Sequence, residues 1–446
     1  MNTFPLSRQI LYATGMMGWS IMVNLIGVML VYFYLPPIHS GLHVLITQRT
    51  FLGIFTLMAL ITAGGRLTDA IYDPFIGKTS DSWKSKRGRR IPFMMFSIIP
   101  TVICCAMVFF PPINAVSRTN VLWLACFLTL FFMAATTYII PYNSLLPELA
   151  ATNEDKIKLS TFQQAGFILG AIISSFVNNL ADLFSRLLNI PGREACVQYA
   201  VVLLAIVGGI VMLIPVLVVN EKKYCHSVPS TTPLFKALKQ SLSSRNFIYF
   251  IVAVFSYAMA LNIITNGLLY FLTVLCHIDD SQGPKFVGYL FLLALLCFPI
   301  VNILAKRMGE KKLLVFSFLV LGLVFAGIAL IGKLPIPPVV QLYIFLGIAA
   351  FPVATLGILP NALLARIAAE NTAATGDNRE GTYFAVNFFS IKVGQTFGLA
   401  IFAMLTIYGK DPGHDFGLRL SGMFGCALCI MAGLIFTGFK DSRKTS

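Results

Sequence analysis

The 446 residues are 57% hydrophobic and 11% charged, with a mean hydropathy of +0.82. A soluble domain carries about 25% charged residues, so a soluble enzyme, a disordered chain and a disulfide-stapled secreted domain are excluded, and a polytopic membrane protein is left. The net charge of +15 sits in short basic clusters between apolar runs, which is the pattern of membrane topology rather than of nucleic-acid binding.

Apolar runs bounded by Pro, Gly and charge predict twelve spans, near 10–35, 46–77, 92–111, 120–146, 158–182, 198–219, 246–275, 285–305, 312–332, 338–366, 380–408 and 416–439. The first run has one early basic residue, Arg8, and no cleavage-type site, so it reads as a span and not a signal peptide. Pro141, Pro299 and Pro352 fall inside spans, where kinks are expected. One set of alternate loops holds 23 Lys and Arg against 8 on the other, so both termini are expected in the cytoplasm. No Asn-x-Ser/Thr sequon occurs, which favours a bacterial inner membrane. Cys426 and Cys429 have CxxC spacing but lie in an apolar run, where cysteine packs as a small hydrophobe.

The polar stretch 220–245 divides the chain into 1–219 and 246–446, each with six spans. The halves are weakly alike: KSKRGRR after span two answers AKRMGEKK after span eight, and IPYNSLLPELA in span four answers LPNALLARIAA in span ten. The expectation is an all-α integral membrane protein of two six-helix bundles joined by a partly helical cytoplasmic linker, which is a transporter architecture.

Charge inside a membrane costs about 2.5–3.5 kcal/mol per residue at a helix centre, so deep charges mark function. Arg66, Asp69 and Asp73 stand at i, i+3 and i+7 in span two, on one helix face. Asp69 lies nine residues from the basic loop, about 13 Å deep at 1.5 Å per residue. Two carboxylates one turn apart in low dielectric need a cation to stay ionised. Arg66 supplies one charge; Na⁺, Li⁺ or H⁺ could supply another, since hard cations take oxygen ligands. The alternative is a static Arg–Asp pair. Lys392 is the one basic residue deep in the second half, more than ten residues from either end of its span. Asn24, Asn262, Asn266 and Asn387 are polar candidates for substrate contact, against the bland reading of helix–helix hydrogen bonds. No HExxH, GxSxG or phosphate-binding loop occurs. No enzyme chemistry, metal centre or cofactor is expected beyond a coupling cation.

The loop GKTSDSWKSKRGRR resembles the Gly-x-x-x-Asp-Arg-x-Gly-Arg-Arg signature of the major facilitator superfamily, lengthened by four residues after Asp81. The resemblance implies that Asp81, Arg87, Arg89 and Arg90 brace the cytoplasmic ends of spans two and eleven as a gate. DAIYDPFIG, RGRRIPF and IPYNSLLPELA together resemble the glycoside–pentoside–hexuronide:cation symporter family, over the whole chain. That resemblance implies a major facilitator fold and a cation site of Asp69, Asp73 and Thr136, the last five residues before Pro141. It also implies a coupling role for Lys392, with Arg66 beside the site. Tyr72 stands where the family's melibiose carrier has an Asn, which leaves sodium or proton coupling open. The carrier's sugar-gripping acids are absent: span one offers Trp19, Ser20 and Asn24, and span four offers Tyr142 and Asn143. Gln164 replaces an Arg at the start of span five. The expected activity is cation-coupled symport of a sugar, glycoside or uronide by a monomer in the bilayer. The alternatives are a carrier of a lysolipid-like or other less hydroxylated solute, and a non-transporting receptor.

Overall fold

The structure, a computed structural model, describes residues 4–36, 42–47, 50–51, 55–150, 152–188, 192–225, 233–278, 283–377, 379–409 and 413–440. Helix dominates them. The exceptions in regular structure are two-residue strands, β1 (Thr50–Phe51) and β2 (Phe55–Thr56), paired antiparallel ahead of the second long helix.

The first half holds α1 (Leu6–Tyr34), α2 (Leu57–Ser82), α3 (Ile91–Val108), α4 (Arg118–Ser144), α5 (Leu146–Leu149), α6 (Asn153–Ser175), α7 (Val177–Leu188) and α8 (Arg193–Val218). The predicted linker carries two short helices, α9 (Glu221–Tyr224) and α10 (Leu234–Ser241), with 226–232 outside the described residues. The second half holds α11 (Arg245–Tyr270) with a π-turn at Phe271–Leu275, α12 (Gly283–Met308) and α13 (Glu310–Ile328). It ends with α14 (Pro338–Thr375), α15 (Glu380–Thr406) and α16 (Phe416–Thr437).

Ten helices among the described residues are long and apolar enough to cross a membrane, or eleven when α6 and α7, bent by 41° at their junction, count as one span. The helix left over is α2, 26 residues long, which carries Arg66, Asp69 and Asp73 in its middle. Predicted span two therefore exists as a helix, and its charge alone sets it apart from the others. It also starts later than predicted, at Leu57 rather than near 46, because β1 and β2 occupy the preceding residues. Helices α2, α4, α12 and α14 run through Pro74, Pro141, Pro299 and the pair Pro352 and Pro360.

The chain forms two compact units. One comprises 1–151, 161–232 and 371–385; the other comprises 152–160, 233–370 and 386–446. Within the first, α1 packs on α8, α3 on α4 and α8, and α2 on α4. Within the second, α11 and α13 flank α16, and α12 lies on α13. The first turn of α15 belongs to the first unit, where it meets α2 at two glycines. A Cβ on Gly77 would sit 2.5 Å from the Gly381 carbonyl oxygen, and one on Gly381 would sit 2.6 Å from that of Gly77. Only glycine permits that backbone approach.

Candidate functional site

Helices α2 and α4 form one seam in the first unit. Asp69 is 4% exposed and Asp73 is fully buried. The Thr136 hydroxyl on α4 donates to Asp69 Oδ1 at 2.5 Å, a short charge-assisted bond of the stronger kind. One turn before Thr136, Phe132 lies under the Arg66 guanidinium, 5.8 Å from its ring centroid. On the other side of Asp69, Tyr72 and Thr137 place their hydroxyls 3.3 Å apart. Arg66 itself is exposed, while the two carboxylates that follow it on the same face are buried. Two buried carboxylates and a hydroxyl on adjacent helices are a hard-oxygen donor set for a small cation or a proton.

A second polar group lies between α1, α4 and α6 in the same unit. Tyr12 and Tyr142 stack at 4.4 Å and each donates its hydroxyl to the other's backbone carbonyl, at 2.5 and 2.9 Å. Tyr142, expected to meet substrate, therefore spends its hydroxyl on clamping α1 to α4. Asn143 is fully buried, and its Oδ1 accepts from Gln163 Nε2 at 3.3 Å; the same amide reaches the Tyr12 hydroxyl at 3.3 Å. Gln163, not the expected Gln164, joins this cluster; the two neighbours point about 100° apart on the helix, and Gln164 is half-buried beside it. Asn24 donates to the Ser20 carbonyl and hydroxyl, both at 2.9 Å, and Ser20 donates to the Phe167 carbonyl at 2.6 Å. Trp19 Nε1 and Gln163 Oε1 are buried with no hydrogen-bond partner among the described residues. Such groups require a partner, and a ligand hydroxyl is a suitable one.

In the second unit, α15 carries Asn387, 2% exposed, and Lys392, half-buried. Asn262 is half-buried on α11. Asn266 lies on the same helix, with its side chain outside the described residues.

The expected gate is a buried ion cluster in the first unit. Asp81 ends α2 with its carboxylate on the first turn of α15: Oδ1 accepts from the Gly381 N–H and Oδ2 from the Thr382 N–H, both at 2.9 Å. Negative charge at a helix N-terminus is stabilised by the exposed N–H groups there. Arg90 is fully buried and pairs with Glu148 at 2.6 Å, Glu380 at 2.9 Å and Asp81 at 3.4 Å. Burial pulls its pKa down, but Glu148, Glu380, Asp81 and Glu221 outweigh that and raise it, so it stays charged. Arg89 shares Glu148 at 2.7 Å. The Glu221 carboxylate accepts from the backbone N–H groups of Arg89, Arg90 and Ile91, at 2.7, 3.0 and 3.2 Å, and so caps α3.

Asp81, Arg89 and Arg90 thus converge, whereas Arg87 is exposed and lies 3.1 Å from the Met95 sulfur instead. Glu148, Glu221 and Glu380 are the members the sequence reading missed. Each stands at the end of an apolar run, where a carboxylate reads as loop solvation. The second unit holds a counterpart with the signs inverted: Glu310, first in α13, pairs with Arg366 at 3.0 Å, both under 5% exposed.

A family model described as MFS/sugar transport protein matches residues 11–411. The symporter YnaJ of Bacillus subtilis (strain 168), itself uncharacterized, is 24% identical over 339 residues, covering 75% of this chain and 71% of its own. The isoprimeverose transporter of Lactiplantibacillus pentosus is 24% identical over 348 residues, covering 75% of this chain and 64% of its own. A bacterial homologue of the iron transporter ferroportin, solved in an outward-facing state, superposes with a TM-score of 0.70 at 13% identity, over 97% of this chain and 98% of that one. At that identity the likeness is one of fold. With ten or more membrane-crossing helices and a family match over most of its length, the chain is a multi-pass transporter and not an enzyme, and it belongs to the MFS/sugar transport protein family.

Proposed function

We propose that this transporter couples uptake of a sugar or glycoside to a cation, Na⁺, Li⁺ or H⁺, by alternating access. The observation that carries this reading is the buried Asp69–Asp73 pair with the Thr136 hydroxyl bonded to Asp69. Ionised, the pair is costly in the membrane interior; a bound cation neutralises it and shifts the equilibrium toward the conformation it binds better. Lys392 acts as a resident counter-charge that competes with the cation. The buried amide and indole groups around Gln163 and Trp19 suit the hydroxyls of a sugar, and the relative named as an isoprimeverose transporter supports that substrate class. The protein works as a monomer in a bacterial inner membrane with both termini in the cytoplasm. Counterflow of labelled sugars and glycosides into proteoliposomes, with and without Na⁺ or H⁺ gradients, tests the reading. A lysolipid in the same panel separates it from carriage of a less hydroxylated solute. Exchange that no cation stimulates would overturn the coupling.

A further inference from the structure

A groove of about 650 Å³ runs along the outside of the first unit between α2, α3 and α4, walled by Trp83, Phe93, Phe96, Pro100, Leu130 and Met133. Phe96 is 72% exposed and Trp83 48%. Its α3 wall runs from Pro92 to Cys104, about 18 Å at 1.5 Å per residue, close to one leaflet of a hydrocarbon core about 30 Å thick. Its floor holds the Tyr72–Thr137 hydroxyl pair, each next in sequence to a member of the Asp73 and Thr136 seam.

The chemistry at the mouth selects the occupant. Trp83 meets Phe93 edge-on at 5.6 Å, and tryptophan favours the membrane–water interface. Lys84, Lys86 and Arg87 follow it, all exposed, with Arg87 against Met95 on the first turns of α3. Asp81 and Glu221 are buried and bound to backbone N–H groups, and Asp81 pairs with Arg90, so these carboxylates are engaged elsewhere. Apolar walls one leaflet long, with an interfacial indole and three cations at one end, match a single class of molecule. We propose that the groove binds one acyl chain of an anionic phospholipid, with its phosphate on Lys84, Lys86 and Arg87.

The test uses the full-length protein in detergent with Trp19→Phe and Trp123→Phe, which leaves Trp83 as the reporter among the three tryptophans. Phosphatidylglycerol and phosphatidylcholine, each brominated on the acyl chains, are titrated in and quenching is followed. Saturable quenching by phosphatidylglycerol at tenfold or more lower concentration than phosphatidylcholine is expected. Each basic residue near an anionic headgroup contributes about fivefold in affinity, so K84Q/K86Q lowers phosphatidylglycerol binding by about twenty-fivefold. Ala134→Phe, which projects a ring into the groove across the path of the acyl chain, abolishes the saturable phase. Equal quenching by the two lipids would overturn the proposal. A phosphatidylglycerol preference that survives Ala134→Phe, or one that K84Q/K86Q leaves undiminished, would overturn it too.

Discussion

Arg90 offers a sharp test of the ion cluster. It is fully buried with three carboxylates within 3.4 Å. Arg90→Ala removes the one charge they share and leaves them in low dielectric. Breaking a single buried pair costs about 3–5 kcal/mol; here three carboxylates lose their shared cation but keep Arg89 on Glu148, the Gly381 and Thr382 N–H groups on Asp81 and the Thr372 hydroxyl on Glu380, so the loss should fall within that range. Arg90→Lys restores a point charge but not the planar fork that spans Glu148 and Glu380 at once, so it should recover less than half. Glu380→Gln keeps an oxygen toward the guanidinium and should cost about 1–2 kcal/mol. Residues in one buried network do not add, so Arg90→Ala with Glu380→Gln should lose less than the sum of the two. Denaturant unfolding of the detergent-solubilised variants, followed by circular dichroism, gives these differences. An Arg90→Ala protein within about 1 kcal/mol of wild type, or strict additivity with Glu380→Gln, would refute the reasoning.

Other expectations follow from single contacts. Thr136→Val removes the hydroxyl from Asp69 at a cost of about 1.5–3 kcal/mol for a bond to a charged group, so cation affinity should fall about tenfold or more, with Thr136→Ser restoring it. Gln163→Ala should weaken sugar binding about fivefold or more through its paired amide, while Gln164→Ala, one position along, should change it less than twofold; calorimetric titration with a bound sugar distinguishes them. Glu310→Gln removes the buried carboxylate on Arg366 and leaves the more exposed Glu370 at 3.8 Å as its ion partner, so it should destabilise by about 1–3 kcal/mol, read by the same unfolding assay.

The number of long helices, the basic alternate loops and the deep Asp69–Asp73 pair were legible because each rests on a one-dimensional property: apolar length, charge count, or the cost of a charge far from either end of its span. Thr136 was singled out by the family resemblance, through its place five residues before Pro141, and the structure puts its hydroxyl on Asp69. What the sequence hid depends on helix rotation. Gln163 and Gln164 differ by one residue and by the face they present, and no periodicity decides between them where both faces pack. Likewise Arg89 and Arg90 turn inward to Glu148 while Arg87, two residues earlier, turns out to Met95; the basic run reads as one cluster until the backbone separates it. Glu148 and Glu380 lie 232 residues apart and meet on Arg90, a contact that only the fold makes visible.

The most direct test of the coupling site is cation-driven accumulation by Asp69→Asn and Asp73→Asn proteins in proteoliposomes. Radiolabelled sugar uptake is measured against imposed Na⁺, Li⁺ and H⁺ gradients, alongside downhill exchange as a control for intact carriers. An amide cannot be neutralised by a cation, so both variants should lose gradient-driven accumulation while exchange persists. Lys392→Ala should instead raise the dependence on external cation. Full, cation-responsive accumulation by both Asn variants would contradict the account and place the coupling site elsewhere in the chain.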